Sequence, residues 1–284
     1  MLRLAALTVL TMLAFAANSL LNREALADGQ TGPAAFAMIR VVSGALCLWV
    51  LVRLRSGPVR PVLRPLGVLS LALYVLGFSF AYVTLQAGVG ALILFGGVQV
   101  TMFAGAVAGG ERVAWTRWAG AAVAFAGLVW LMWPGAQATP PVAGAALMVA
   151  AALGWGVYSL LGRGVPDPLA ATASNFVFAA PLAVLVFAVV PDGATMQGAL
   201  LAVVSGAVTS GLGYALWYTI LPRLSATLAA VAQLSVPVIA TAGGVALLGE
   251  ELSARFVIAT LLVLGGIGLS LVRPRQRTIG SNGS

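Results

Sequence analysis

Aromatic and amide side chains recur at helical spacing inside otherwise apolar stretches of this chain, and they are the groups that could do chemistry. Tyr74, Phe78 and Tyr82 are four residues apart, which puts them on one face of a helix. Tyr214 and Tyr218 repeat the spacing, and Phe78 and Tyr82 correspond to them at a constant offset of 136 residues. Trp155, Tyr158 and Ser159 form a similar group, and its counterpart near the N-terminus is Asn18, Ser19 and Asn22. Such a set offers ring faces to an apolar or aromatic body and hydroxyls or amides to a polar head group. The competing reading is ordinary packing and interface anchoring, which suits Tyr82 and Tyr218 near the ends of their stretches.

Two further features bear on binding. Arg40 is the only ionisable side chain well inside an apolar stretch, where a charge costs about 2.5–3.5 kcal/mol on insertion scales. Three roles are open to it: attracting a substrate carboxylate, snorkelling to set helix depth, or pairing with Glu24 or Asp28 of the neighbouring loop. The stretch "FGGVQ" holds Gly96, Gly97 and Gln99, and "QLSVPV" holds Gln233 and Pro237. Glycine weakens a helix, and Pro237 leaves the Gln233 carbonyl without its donor. Both places are therefore candidate interruptions, where freed carbonyls beside Gln99 and Gln233 bind a polar substrate or a hinge operates. Close helix approach at the glycines and a tolerated proline account for the same residues.

Much chemistry is excluded. The chain has no histidine, no lysine and one cysteine, Cys47, inside an apolar run. That removes an internal disulfide, histidine metal sites and any triad with an imidazole base. No phosphate-cradling G-x-x-x-x-G-K-[ST] is present. The seven acidic residues fall in or near loops, so no intramembrane acid pair supports a membrane enzyme or a proton relay. No cofactor and no metal is expected, and downhill export is the simplest mechanism. If transport is coupled, Glu111 and Glu250 are the fallback, although pairing with loop arginines or capping a helix start suits them better.

The elements that must hold these groups follow from composition. The sequence is 61% hydrophobic and 8% charged, far from the roughly 25% charged of soluble domains. Spans of about 20 residues fit near 4–21, 35–52, 66–85, 90–108, 118–133, 142–161, 169–190, 198–219, 225–248 and 256–272. The expected fold class is all-α, a polytopic membrane protein of ten transmembrane helices. The first run follows Arg3 and reads as a retained span rather than a cleaved signal. The balance of fifteen basic and seven acidic residues, +8, would suggest nucleic acid in a soluble protein. Here twelve of the fifteen arginines fall on one side if both termini are cytoplasmic, as the positive-inside rule requires, so no nucleic-acid partner is expected. Trp49, Trp115, Trp118, Trp130 and Trp133 fall at span ends, as an interfacial belt would have them.

The chain also says things twice. "SLLNR" at Ser19–Arg23 returns as "SLLGR" at Ser159–Arg163, and Gly110–Glu111 returns as Gly249–Glu250, 139 residues later. The expected organisation is a first five-span repeat over 1–133, an outer linker over 134–141, a second repeat over 142–272 and a cytoplasmic tail over 273–284. Because five is odd, the second copy enters the membrane inverted, which places a site at the junction of the halves and permits alternating access.

With ten spans in two five-span halves and a Gly-Glu before the last span of each, the sequence resembles the drug/metabolite transporter superfamily. Within it the chain is most similar to bacterial exporters of aromatic amino acids of the YddG type. The resemblance implies a multi-pass inner-membrane exporter with a central cavity between the halves, taking amino acids or similar small metabolites. A monomer in the lipid bilayer suffices for such a mechanism. Pro237 has no proline counterpart in the first half. An exporter of organic cations, a polytopic enzyme and a channel are the competing functions.

Overall fold

The computed structural model describes residues 2–29, 31–57, 60–110, 114–133, 140–162, 165–224 and 232–270. Glu111, Arg163 and the tail over 273–284 lie outside the described residues, as does most of the linker over 134–141. The described residues hold helices and no strand: α1 (Leu2–Leu26), α2 (Pro33–Ser56), α3 (Pro65–Ala81), α4 (Ala87–Ala108), α5 (Trp115–Met132), α6 (Val142–Gly162), α7 (Pro168–Val189), α8 (Met196–Arg223), α9 (Ser235–Leu248) and α10 (Ala254–Ser270). Each coincides with one of the ten expected spans to within a few residues, except that the first part of the ninth, 225–231, lies outside the described residues and α9 follows a turn at Leu234. Local chemistry sets the ends. Pro33, Pro65 and Pro168 open α2, α3 and α7, where a missing N–H costs nothing. Gly249 closes α9 with φ 64°, a left-handed geometry that a glycine adopts without strain.

Six helices, α1, α2, α4, α6, α7 and α8, are long and apolar enough to cross a membrane, and α3, α9 and α10 are apolar but shorter. The protein is thus a multi-pass membrane protein. Only 33–50% of each crossing window is buried inside the bundle, so the remaining leucine and valine surface suits lipid rather than water. Trp49, Trp115, Trp118, Trp130 and Trp133 are all exposed.

Small residues set the closest approaches, because lipid leaves packing rather than hydrophobic burial to hold helices together. α5 packs on α10 through Gly120, Gly127 and Gly266, and a Cβ on Gly120 would lie 2.3 Å from the Gly266 carbonyl. α2 packs on α7 and on α8, α3 and α4 on α6, α9 on α4 and α1, and α8 on α1.

The connections sort into two ends. At one end Arg23, Tyr82, Val83, Ala87 and Glu250 meet, joined there by Asp192 against Ala34 and by Thr195 against Thr31. At the other, Arg55 pairs with Asp167 and the Val62 amide donates to Ser174.

One expectation about helix interruption needs correction. α4 runs unbroken through Gly96 and Gly97. These glycines admit neighbours instead: a Cβ on Gly97 would lie 2.8 Å from that of Ala152, and one on Gly96 would lie 3.1 Å from Val263. At Pro237, the third residue of α9, the helical run is interrupted by a turn at Leu234, next to the Gln233 carbonyl that the proline leaves without its donor. An irregularity that the sequence did not announce lies in α8, where Val204–Leu212 is a π-helix, a form often found at functional positions.

Candidate functional site

The aromatic residues singled out by spacing converge. The Tyr74 ring lies 5.5 Å from Phe78 and 4.8 Å from Trp155, and Trp155 lies 5.7 Å from Tyr158 and 5.0 Å from Tyr214. Phe176 of α7 and Phe15 of α1 complete the cluster around Tyr214, at 6.0 and 5.9 Å. Rings from α1, α3, α6, α7 and α8 thus share one seam. The four-residue spacing on α3 and α8 is what delivers them to a common face.

Arg40 stands beside this cluster. It neither snorkels to an end nor reaches the loop, since its relative exposure is 0%. Its Nε donates to the Ser210 hydroxyl at 3.2 Å and its Nη2 to the Tyr74 hydroxyl at 3.1 Å, while its guanidinium carbon lies 4.9 Å from the Phe78 ring centroid. Neutral oxygens and aromatic faces hold the charge inside the bundle. Four buried polar atoms near the seam lack any hydrogen-bond partner: Arg40 Nη1, Tyr214 Oη, Asn175 Oδ1 and Ser19 Oγ.

A second polar group ties α1 to α3 and α8. The Asn18 amide oxygen accepts from Ser205, at 2.8 Å, and from Thr209, both in the π-helical segment. The Asn22 amide accepts from Ser79 at 3.0 Å and donates to the Asn18 carbonyl at 2.9 Å. Asn18 is therefore occupied in holding helices together. Ser159 likewise donates to its own helix, to the Trp155 carbonyl at 2.7 Å.

A cavity of about 310 Å³ opens at the end marked by the Arg55–Asp167 pair. Arg64, Gly67, Tyr158, Thr172, Asn175 and Tyr218 are among its walls. Tyr158 donates to Thr172 at 3.2 Å and accepts from the Asn175 amide at 3.3 Å, so the cavity floor joins the aromatic cluster. The opposite end is shut. There Glu250 accepts from the Ala87 amide at 2.8 and 3.0 Å and pairs with Arg23 at 3.4 Å, so it both caps α4 and binds an arginine. Arg23 also donates to the carbonyls of Tyr82 and Val83, each at 3.3 Å. Tyr82 is fully buried beneath this closure and donates to the Ala87 carbonyl at 3.3 Å.

Of the residues expected to bind substrate, Arg40, Tyr74, Phe78, Trp155, Tyr158 and Tyr214 come together. Tyr218 joins them only through the cavity, and Tyr82 lies at the closed end. Ser19 is buried on α1, and Gln99 and Gln233 are half-buried on α4 and just before α9, away from the cavity walls. The sequence reading overlooked Asn175, Thr172, Ser205, Thr209 and Ser210. Their signal was present, as uncharged polar residues inside apolar spans ("TASNF", "SGAVTSG").

Residues 142–272 match the model of the EamA-like transporter family. A relative from Pseudomonas aeruginosa, the uncharacterized protein PA1977, is 49% identical over 268 residues, covering 93% of each chain. A solved crystal structure, 20% identical, matches in fold with a TM-score of 0.67 over 94% of this chain and 96% of its own. The multi-pass helical bundle, its seam of aromatic and polar groups, and these matches agree: the chain belongs to the EamA-like transporter family, membrane transporters of small molecules.

Proposed function

We propose that this transporter is an alternating-access exporter of neutral amino acids, aromatic ones foremost, or of similar small metabolites, in the bacterial inner membrane. Its ten helices act as two inverted five-helix halves, α1–α5 and α6–α10, with both termini cytoplasmic. Several observations support the reading. Exchanging the halves maps the packing pairs α2·α7, α4·α9 and α5·α10 onto themselves and exchanges α3·α6 with α8·α1 and α4·α6 with α9·α1. That is the pattern of a pseudo-two-fold axis along the seam.

The observation that carries the mechanism is the unequal fate of two matched tyrosines. Tyr82 is buried under the Arg23–Glu250 closure, whereas Tyr218, 136 residues on, lines the open cavity. Equivalent positions in two related halves in opposite states are what one stage of an alternating cycle contains. With the arginine-rich segments cytoplasmic, the cavity faces the cytoplasm, as cargo loading for export requires. The aromatic walls suit an apolar or aromatic side chain, and the hydroxyls and amides suit a polar head group.

The test is flux. Purified protein in liposomes is loaded with labelled phenylalanine, tyrosine, alanine or a quaternary amine. Saturable, competable movement of an amino acid is expected; its absence for every amino acid, or flux that never saturates, overturns the reading.

A further inference from the structure

Arg40 is a desolvated cation whose every contact is neutral. Its relative exposure is 0%, and its partners are the hydroxyls of Ser210 and Tyr74 and the rings of Tyr74 and Phe78. Nη1 makes no hydrogen bond at all. Neutral acceptors and ring faces recover only part of what dehydrating a guanidinium costs, and an anion of good geometry recovers the rest. The half-related position on α7 offers no second charge, since the stretch Phe176–Pro181 holds none. The arginine is therefore not a relic of a symmetric pair.

A second donor without a well-formed hydrogen bond belongs to the same cluster. The Tyr214 hydroxyl is buried beside that of Tyr74 but makes no hydrogen bond of good geometry, and its ring lies 5.0 Å from Trp155. Trp155 lies 4.8 Å from Tyr74, the residue whose hydroxyl holds Arg40. On the other side Trp155 stacks on Tyr158, a wall of the cavity, beside Asn175, whose free Oδ1 is an acceptor. Donors without acceptors stand at the deep end of this path, and an acceptor without a donor stands at the mouth.

We propose that Arg40 and the Tyr214 hydroxyl form a carboxylate-binding subsite, so that the cargo is a monocarboxylate with an aromatic or apolar body, amino acids among them, and not an organic cation. The body packs on Tyr158 at the cavity floor, which Trp155 backs, and Asn175 Oδ1 accepts from the cargo's ammonium or hydroxyl. This inference rests on the exporter reading for its physiological meaning but stands on binding alone for its test.

Binding to the purified protein in detergent is measured with three probes: phenylalanine, 3-phenylpropionate and phenethylamine. The wild type is expected to bind the two carboxylates and to leave phenethylamine at least about tenfold weaker. Arg40→Gln is expected to remove that preference, Arg40→Lys to restore part of it, and Tyr214→Phe, which keeps the ring, to weaken the carboxylates alone. Phenethylamine binding as tightly as phenylalanine, no binding of either carboxylate, or unchanged preference in Arg40→Gln and Tyr214→Phe would each overturn the proposal. Liposome flux separates the two ideas. Saturable amino-acid flux without carboxylate preference sinks the subsite and spares the exporter, whereas carboxylate binding without flux does the reverse.

Discussion

Replacing Glu250 by glutamine opens the shut end of the bundle at a calculable cost. The Glu250 carboxylate accepts twice from the first amide of α4, at 2.8 and 3.0 Å, and lies 3.4 Å from Arg23 Nε. Glutamine keeps an acceptor and the shape but removes the charge. A negative group at a helix N-terminus contributes about 0.3–1 kcal/mol, rising to about 2 in partly buried geometries. The ion pair adds at most about 1 kcal/mol, because the Arg23 side chain is 21% exposed and water screens it. A loss of about 1–2 kcal/mol corresponds to a shift of about 5–30-fold in a two-state population. The chain offers a clean reporter. Cys47 is its only cysteine, so a Cys47→Ser background carries a single Leu85→Cys, at a position only 1% exposed beneath the closure. Maleimide labelling of that cysteine is expected to accelerate about 5–30-fold in Glu250→Gln. An unchanged rate, or an equal rise in Glu251→Gln, whose side chain is exposed and outside the closure, would refute the reasoning.

Three further outcomes follow from the packing. Gly120→Ala puts a methyl 2.3 Å from the Gly266 carbonyl and is expected to lower thermal stability in detergent by about 1–3 kcal/mol, whereas Gly268→Ala, with open space around it, is neutral or gains up to about 1 kcal/mol. Asn18→Ala removes the acceptor that Ser205 and Thr209 share, leaving Thr209 bonded to the Ser205 carbonyl and Ser205 beside the Asn22 amide, and is expected to cost about 0.5–1.5 kcal/mol for each lost hydrogen bond in the same measurement, with Ser205→Ala in the double variant recovering part of it. Gly162→Phe projects a ring into the cavity from a position 3.7 Å from the Tyr218 hydroxyl, so liposome flux is expected to fall severely while the melting temperature holds; retained flux would remove the cavity from the path.

The spans were legible because partition into lipid is a property of contiguous runs. Between the arginines and the Gly/Pro clusters, ten apolar stretches could be placed, and helices occupy each of them. The aromatic cluster was half legible: a spacing of four puts Tyr74, Phe78 and Tyr82 on one face but says nothing of what that face meets. Tyr82 turned out to be sealed at one end, while Trp155 and Tyr214 reached Tyr74 from the other half of the chain. Gly96 and Gly97 misled in the same way, since a glycine that weakens an isolated helix also lets Ala152 and Val263 approach, and only the neighbour decides which effect wins.

By itself the sequence determined the helices, their apolar outer surfaces, the doubled motifs and the absence of histidine, and so of imidazole chemistry, because these depend on residue type and local order. The tertiary structure alone decided the state of Arg40, whose Nε partner, Ser210, lies 170 residues away. It alone decided that Val204–Leu212 is π-helical and that the Arg23–Glu250 end is shut while the Tyr218 end is open. The physical reason is common to all three. Desolvation, hydrogen-bond satisfaction and closure are settled by which groups meet across the seam, and no stretch of sequence contains both sides of it.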